Sequence, residues 1–495
     1  MRNQRQFSKS SLTVYVMAAL LFFLPATAGA ASYNDALDAY NRGDYQTAFT
    51  IYKSLASQGN PRAQNNLANL YDTGQGVAQD LNQAAHWYTR AAAQGHIIAQ
   101  YNLGNMYDYG QGMPQNYAEA LKWYTLAAEK GYPKAQNNLG ILYDRGKGVP
   151  QNYEIAAMWY QKAAGQGFDK AQFNLGYMYK VGEGVSKDLA QAAEWFRKAA
   201  EQGHAKAQFK LGGMYDTGKG VEKSYEEAAK WYQKAAGSGH AKAQFNIGNM
   251  YDFGQGVPQD YAQAVKWYRK AAEQGHASSQ NSLGNMYDKG LGVPKSLEAA
   301  VKWYRKAADQ GHDLAQFNLG TMYHYGHGMK QDFAEAMNWY SKAADKGHPK
   351  AQNNIGLMYD RGKGVEKNLQ TAAQWYQKAA DGGFALAQYN IGSMYELGEG
   401  VLQSYEKAAE WYRKAADQGH GLALNYLGTL YHQGKGVPQD FAKAHMWYNL
   451  AVAKLKSGKD QDMAMKNRDN VAKLMNPGQL TQAQQMAVDW QNKGK

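Results

Sequence analysis

The sequence predicts an all-α protein, an α-solenoid built from helical hairpins of 36 residues each. Three observations predict it. Most tryptophans recur at a fixed interval, hydrophobic residues recur at helical spacing in both halves of each interval, and glycines separate the two halves. Eleven of the 12 tryptophans stand 36 residues apart without an insertion: Trp87, Trp123, Trp159, Trp195, Trp231, Trp267, Trp303, Trp339, Trp375, Trp411 and Trp447.

Residues 96–131 illustrate one hairpin. In its first half Ala99 and Leu103 are four residues apart, so they share one face of a helix. The second half repeats this spacing with Ala120 and Tyr124. A Gly-x-Gly turn lies between the halves, and a further glycine recurs inside the first half of ten units, where it predicts close contact between helices.

The repeat defines the domain boundaries. Eleven hairpins run through residues 60–455, and residues 32–59 are expected to form an N-terminal capping hairpin with a shorter turn. Residues 456–495 depart from the pattern and are expected to form a C-terminal cap. A capping-box pattern at Thr481 predicts that the last helix begins there, and we expect Trp490 to pack this helix against the array.

Residues 1–31 have the pattern of a secretory signal peptide. Arg2, Arg5 and Lys9 precede an apolar run of 13 residues, which is too short for an ordinary transmembrane helix. Small residues follow at the expected cleavage positions. We therefore expect an exported protein, periplasmic in a Gram-negative source or secreted, without stable membrane insertion after cleavage. An uncleaved anchor is the alternative.

Composition excludes several classes of function. The chain has no cysteine, which excludes a thiol nucleophile, disulfides and thiolate metal sites. Its net charge is +12 over 495 residues, and the positive charges are not clustered, so nucleic acid is not an expected partner. Hydrophobic residues make up 44% of the chain, which is enough for a packed core.

No catalytic constellation is found, and no cofactor or metal is expected. The turns with two glycines lack the Lys-Ser/Thr pair of a phosphate-binding loop. His324 and His327 could share a metal ion, but no third ligand is evident. Seven histidines share one repeat position, which also accepts Phe or Tyr and is therefore interpreted as a packing site: His96, His204, His240, His276, His312, His348 and His420.

The unit AQxNLGxMYxxGxGVxxxxxxAxxWYxKAAxQG resembles the Sel1-like repeat, a relative of the tetratricopeptide repeat. The N-terminal hairpin, with AYNRGDYQTAFTIY, is more similar to an ordinary tetratricopeptide repeat. The resemblance implies a right-handed α-solenoid and a role as an adaptor for protein complexes. Exported members of the family include cysteine-rich proteins linked to penicillin binding and weak β-lactamase activity, but this chain lacks their cysteines.

The resemblance also implies that the first helices line a concave face, so variable residues on them are candidates for partner binding. Aromatic side chains could anchor a ligand, and asparagines could pair with a peptide backbone. The alternative is that the aromatic residues pack against the neighbouring hairpin. The candidates are Tyr101, Asn105, Phe173, Tyr177, Phe209, Phe245, Asn249, Asn285, Phe317 and Tyr389.

These observations predict an exported, monomeric, non-catalytic scaffold that binds a protein or peptide on its concave face. A cell-wall-related protein of penicillin-binding or weak β-lactamase type is the alternative. It rests on the resemblance alone, because the serine motifs of those enzymes are absent.

Overall fold

The computed structural model of the protein describes residues 31–493, and within them the chain forms 26 α-helices and no strand. The predicted signal peptide lies outside the described residues, apart from its last residue. No helix of the described part is long and apolar enough to cross a membrane. The fold is thus an all-α solenoid, as the sequence predicts.

The helices group into two compact units, one ending at Gln202 and one beginning at Gly203. In each unit consecutive helices pack against each other in chain order, except that the last helix of the chain packs on the helix two before it. The first unit contains α1 (Tyr33–Asn41), α2 (Tyr45–Ser57), α3 (Pro61–Thr73), α4 (Leu81–Ala93), α5 (Ile97–Tyr109), α6 (Tyr117–Glu129), α7 (Pro133–Arg145), α8 (Tyr153–Gly165), α9 (Asp169–Val181) and α10 (Leu189–Glu201). The second contains α11 (Ala205–Thr217), α12 (Tyr225–Gly237), α13 (Ala241–Phe253), α14 (Tyr261–Glu273), α15 (Ala277–Lys289), α16 (Leu297–Asp309), α17 (Asp313–Tyr325), α18 (Phe333–Ala344), α19 (Pro349–Arg361), α20 (Leu369–Asp381), α21 (Ala385–Leu397), α22 (Tyr405–Asp417), α23 (Gly421–Gln433), α24 (Phe441–Lys454), α25 (Lys459–Ala472) and α26 (Pro477–Lys493).

Each hairpin has defined helix ends. The first helix α13 begins after His240, whose Nδ1 accepts a hydrogen bond from the backbone N–H of Ala243 at 3.2 Å. It ends at Phe253 and is capped by Gly254, where φ is 67°. Glycine suits this position because other residues rarely adopt a positive φ. The second helix α14 begins after Asp260, whose side chain accepts from two backbone N–H groups of the first turn.

The core of each hairpin is a tyrosine ring laid over a glycine. Tyr268 is fully buried, and a Cβ added at Gly248 would lie 2.7 Å from its Cδ1 atom. The glycine predicted from its recurrence therefore allows the two helices of the hairpin to approach closely.

Neighbouring hairpins are joined by the turn and by the tryptophan. A Cβ at Gly256, the second glycine of the turn, would lie 2.2 Å from the carbonyl oxygen of Tyr225 in the preceding hairpin. Trp267 packs on a buried cluster that includes Tyr232 and Ile247, so it contacts the preceding hairpin as well as its own. The periodic tryptophans thus fill the space between neighbouring hairpins, as the sequence predicts.

The C-terminal cap differs in one respect from its prediction. The last helix begins at Pro477 rather than at Thr481. The reciprocal hydrogen bonds of a capping box join Asn476 and Gln479, whereas the Thr481 hydroxyl donates to the carbonyl oxygen of Pro477 inside the helix. The predicted contact of Trp490 is confirmed, since its ring lies edge-on to Trp447 at 6.1 Å.

Candidate binding surface

Repeat positions are counted here from the residue before each first helix, so His240 is position 1 and Trp267 is position 28. Positions 4, 8 and 11 of the first helix are buried against the second helix, as Ala243, Ile247 and Met250 show. Positions 3, 10 and 14 lie on a different side of the helix, where they face solvent at least in part. We call these three positions of the first helices the candidate binding surface.

The predicted aromatic residues at position 6 lie beside this surface, at the junctions between hairpins. Each is half-buried. The Phe245 ring lies 6.0 Å from Tyr268 of its own hairpin and 5.1 Å from His276 of the next. The residues at this position with ring contacts of the same kind are Tyr101, Phe209, Phe317 and Tyr389, and Phe173 contacts Phe196 at 5.6 Å.

Where position 6 is an asparagine instead, it makes the junction by hydrogen bonding. Asn281 is at position 6, and its Oδ1 atom accepts a hydrogen bond at 2.9 Å from the Nδ2 group of Asn318, which is at position 7 of the next hairpin. The same bond joins Asn390 to Asn353 at 3.0 Å. Position 6 therefore packs adjacent hairpins together in both forms, and contact of its aromatic members with a partner stays a prediction.

The predicted asparagines at position 10 are held by tyrosines of the second helix. Tyr124, Tyr268 and Tyr304 donate their hydroxyls to the Oδ1 atoms of Asn105, Asn249 and Asn285, at 2.7, 2.6 and 2.6 Å respectively. Within the described part of the chain, the Nδ2 groups of Asn249 and Asn285 donate to no protein acceptor. The tyrosine hydroxyl thus fixes the oxygen of each amide and, among the described residues, leaves its Nδ2 group without a protein acceptor.

Position 10 borders a cavity between consecutive first helices. In the second unit, α13 and α15 enclose an open volume of ≈ 350 Å³, which we call the α13–α15 cavity. Its lining includes Asn249, Asp252, Phe253, Asn285 and Lys289. Two of the predicted binding residues, Asn249 and Asn285, are therefore brought together there.

An equivalent cavity of ≈ 220 Å³ lies between α7 and α9 in the first unit. Several of the same repeat positions line it, with Tyr177 at position 10 in place of asparagine and with Phe173 beside it. Tyr177 is 43% exposed. Two further predicted residues thus meet at this second site.

The α13–α15 cavity has a defined charge distribution. Burial raises the pKa of the Asp252 carboxyl, while the hydrogen bond from Tyr268 and the nearby Lys289 oppose that rise. The Tyr268 hydroxyl, which donates to Asn249 at 2.6 Å, also lies 3.2 Å from the Oδ2 atom of Asp252, and burial raises the pKa of that hydroxyl further above its ordinary range. The floor of the cavity thus holds a tyrosine that stays protonated, and its rim holds a cation.

Sequence reasoning missed the most exposed hydrophobic residues of this surface, which are at position 14. Phe253 is 68% exposed, and the equivalent residues of other hairpins include Tyr109 at 67%, Tyr325 at 58% and Leu397 at 60%. Aligning the repeats on their tryptophans reveals the signal. Position 14 is apolar in every second hairpin and polar in the hairpins between them.

The histidines at position 1 are helix caps, which confirms their structural interpretation. All seven accept a hydrogen bond on the side chain from a backbone N–H of the first turn. His324 is buried against the rings of Phe333 and Tyr340. Residues 31–493 contain no group of three or more His, Asp or Glu side chains placed to hold a metal ion.

Known proteins similar to this chain share its repeat. A crystal structure of a protective antigen present in uropathogenic Escherichia coli strains, described as displaying an SLR fold, is 39% identical with a TM-score of 0.83, over 89% of this chain and 94% of that one. A Sel1 repeat protein from Oxalobacter formigenes is 35% identical with a TM-score of 0.52, over 63% of this chain and 90% of that one. No functionally curated protein matches the chain.

The Sel1 repeat profile matches this chain eleven times in succession, at residues 61–96, 97–132, 133–168, 169–204, 205–240, 241–276, 277–312, 313–348, 349–384, 385–420 and 421–454. These matches cover most of the sequence and coincide with the helical hairpins described above. The chain therefore belongs to the Sel1 repeat family.

Proposed function

We propose that this chain is an exported, non-catalytic scaffold that binds a polypeptide segment of a partner protein on the exposed side of its first helices. One observation carries the proposal. In the α13–α15 cavity an exposed aromatic ring, two asparagines and a lysine surround one open volume. An apolar anchor beside amide groups is a combination that recognises polypeptides, because it provides contact area together with partners for the peptide backbone.

The repeat family supports the same class of function. Solenoids of Sel1 repeats typically mediate protein–protein interaction and are typically non-catalytic. The amides of Asn249 and Asn285 add support, because each is already oriented by a tyrosine hydroxyl. Less rotational freedom is then lost when a ligand binds.

Export is supported by the first residues of the sequence, where three basic residues precede an apolar run and a small-residue cleavage site. The similar protein of uropathogenic Escherichia coli is described as a protective antigen, which is consistent with exposure outside the cytoplasm. Fractionation of cells that produce the protein, with mass determination of the mature chain, tests this part of the proposal.

Photo-crosslinking in cells tests the binding surface. A photoreactive phenylalanine analogue is placed at Phe253, and the control is placed at Lys234 on the second helix α12. Both positions are exposed, so both variants are expected to fold. We expect a discrete protein adduct from position 253 only.

Two results would contradict the proposal. Equal adducts from both positions, or none from position 253 in a folded and exported protein, would remove the first helices from the contact surface. Turnover of the β-lactam nitrocefin by the purified mature chain would overturn the non-catalytic part and favour the cell-wall alternative.

A further inference from the structure

Position 14 of the first helices follows a period of two hairpins. In the second unit five consecutive hairpins place Phe253, Lys289, Tyr325, Arg361 and Leu397 there, each as the last residue of its helix. We call these five residues the position-14 row. All five are exposed, so the alternation of apolar and cationic side chains is a property of the surface.

The position two residues after the row follows this period only in part. The hairpins with a cation or a polar residue at position 14 also carry Lys219, Lys363 and Lys435 two residues later, with Leu291 as the exception. The positions that form the core of each hairpin do not alternate, whereas position 6, at the junctions between hairpins, does alternate from Phe245 onward. Position 8 is Leu or Ile and position 9 is Gly in every hairpin of the second unit. Packing within a hairpin therefore does not require the two-hairpin period.

We propose that the position-14 row binds an extended polypeptide segment in which acidic side chains alternate with apolar ones. The apolar side chains of the segment lie against Phe253, Tyr325 and Leu397, and its carboxylates meet Lys289 and Arg361. This inference rests on the proposed function and specifies its ligand.

The charges of the row support an acidic partner. Lys289 and Arg361 are exposed, and within the described residues neither forms an ion pair with the protein. Each is therefore available to a carboxylate of the ligand, and arginine can bind one in bidentate fashion.

The neighbouring carboxyl groups favour a polypeptide over a nucleic acid. Asp252, Asp288 and Asp360 occupy position 13, directly before residues of the row. A nucleic acid backbone carries a phosphate at every nucleotide, so some phosphates would meet these carboxylates. An extended polypeptide can place acidic side chains only at the cations.

Helix packing gives the expected spacing in the ligand. First helices of adjacent hairpins touch through side chains, as the Asn318–Asn281 and Asn390–Asn353 hydrogen bonds show. Closely packed helices are about 8–10 Å apart, and the α13–α15 cavity keeps first helices at least that far apart at position 14. Apolar residues two hairpins apart in the row are therefore at least about 16–20 Å apart, a span of at least about five or six residues in an extended chain. We therefore expect apolar residues about six apart in the ligand, with an acidic residue between them.

Fluorescence anisotropy with synthetic peptides tests the inference on the full mature chain. The acidic probe is a peptide of about fifteen residues with leucines about six residues apart and glutamates midway between them. A second probe has lysines in place of the glutamates, and a third is a single-stranded oligothymidine. We expect the acidic probe to bind about tenfold more tightly than the lysine probe.

Charge-reversal variants test whether Lys289 and Arg361 bind the acidic probe. The variant Lys289→Glu/Arg361→Glu is expected to bind the acidic probe about tenfold more weakly and the lysine probe more tightly than the unchanged protein does. The matched control is Lys266→Glu/Lys302→Glu, which makes the same charge change at exposed positions of second helices and is expected to have a much smaller effect. The variant Phe253→Ala/Tyr325→Ala is expected to bind both peptides more weakly.

Several outcomes would overturn the inference: equal binding of the two peptides, no binding of either, tighter binding of the oligothymidine, or equal effects of the two charge-reversal variants. A crosslinked protein adduct from position 253 alongside any of these results would leave the proposed function intact and reject only the ligand chemistry. Loss of that adduct as well would reject both.

Discussion

Single glycines decide how closely the helices of a hairpin pack. Gly212 lies under the ring of Tyr232, and an added Cβ would be 2.8 Å from its Cδ1 atom. The next residue, Gly213, has only the Tyr232 hydroxyl oxygen near, at 3.4 Å from the same hypothetical atom. Two adjacent glycines of one helix therefore meet different constraints.

Alanine at these two positions should change stability in opposite directions. Gly212→Ala is expected to lower the free energy of unfolding by about 1–3 kcal/mol, because the methyl group must displace a buried ring. Gly213→Ala should raise it by about 0.5–1 kcal/mol, because alanine favours the helix. Urea unfolding followed by circular dichroism measures both, and equal effects of the two variants would contradict this account of the contact.

The histidine caps make stability depend on pH. Burial lowers the pKa of His96, His240, His276, His312, His348 and His420 below the ordinary value. Each Nδ1 must stay unprotonated to accept its backbone hydrogen bond. The unfolded chain therefore binds more protons as the pH falls below about 6.5, and the contribution to stability, complete above that pH, is lost as the pH falls toward the lowered pKa values.

Replacing three caps tests this dependence. The variant His240→Asn/His276→Asn/His348→Asn retains a side-chain acceptor that does not titrate. We expect its urea midpoint to fall less than that of the unchanged protein between about pH 7.5 and about pH 5.5. Because the carboxyl groups are the same in both proteins, the difference between the two slopes reports the histidines. Parallel slopes would show that the caps do not titrate in this range.

At the scale of the element, the last helix shows how a sequence pattern can mislead. The Thr-x-x-Gln pattern at Thr481 has the composition of a capping box, but Pro477 and Asn476 provide an earlier start with the same chemistry. Asn476→Ala should destabilise α26 by about 1 kcal/mol, because it removes the cap. Thr481→Ala should change it by less than about 0.5 kcal/mol. Hydrogen exchange of the α26 amides measures the effect of each variant. A larger effect of Thr481→Ala would support a helix that begins at Thr481.

The first helices show how much the sequence could predict. Their existence, their glycines and the packing of the tryptophans between neighbouring hairpins follow from the period of 36 residues, since every hairpin repeats the same packing. The role of position 6 does not follow, because an aromatic residue such as Phe245 has the same spacing whether it contacts a neighbouring ring or a ligand. Its contacts with Tyr268 and His276 become known only when the adjacent hairpin is placed beside it.

At the scale of the whole molecule, two periods are superimposed on one chain. The 36-residue period specifies the hairpin and its core, and within each compact unit the hairpins are stabilised by their neighbours in chain order. The period of two hairpins is confined to the exposed surface and the junctions, where Phe253 and Lys289 exemplify its two chemistries. Residues common to all hairpins thus build the solenoid, and residues that alternate are the candidates for recognition.

A register exchange tests whether recognition depends on this order or only on composition. The variant Phe253→Lys/Lys289→Phe keeps the net charge and the amino-acid composition, and both positions are exposed, so its stability should stay within about 0.5 kcal/mol of the unchanged protein. The acidic peptide should nevertheless bind several-fold more weakly, because an apolar side chain of the ligand now meets a cation and a carboxylate meets a ring. The control Phe253→Tyr/Lys289→Arg retains the order and should bind about as well as the unchanged protein. If the exchanged variant binds as tightly as that control, the partner reads the overall charge of the surface, and the alternation along the position-14 row has no part in recognition.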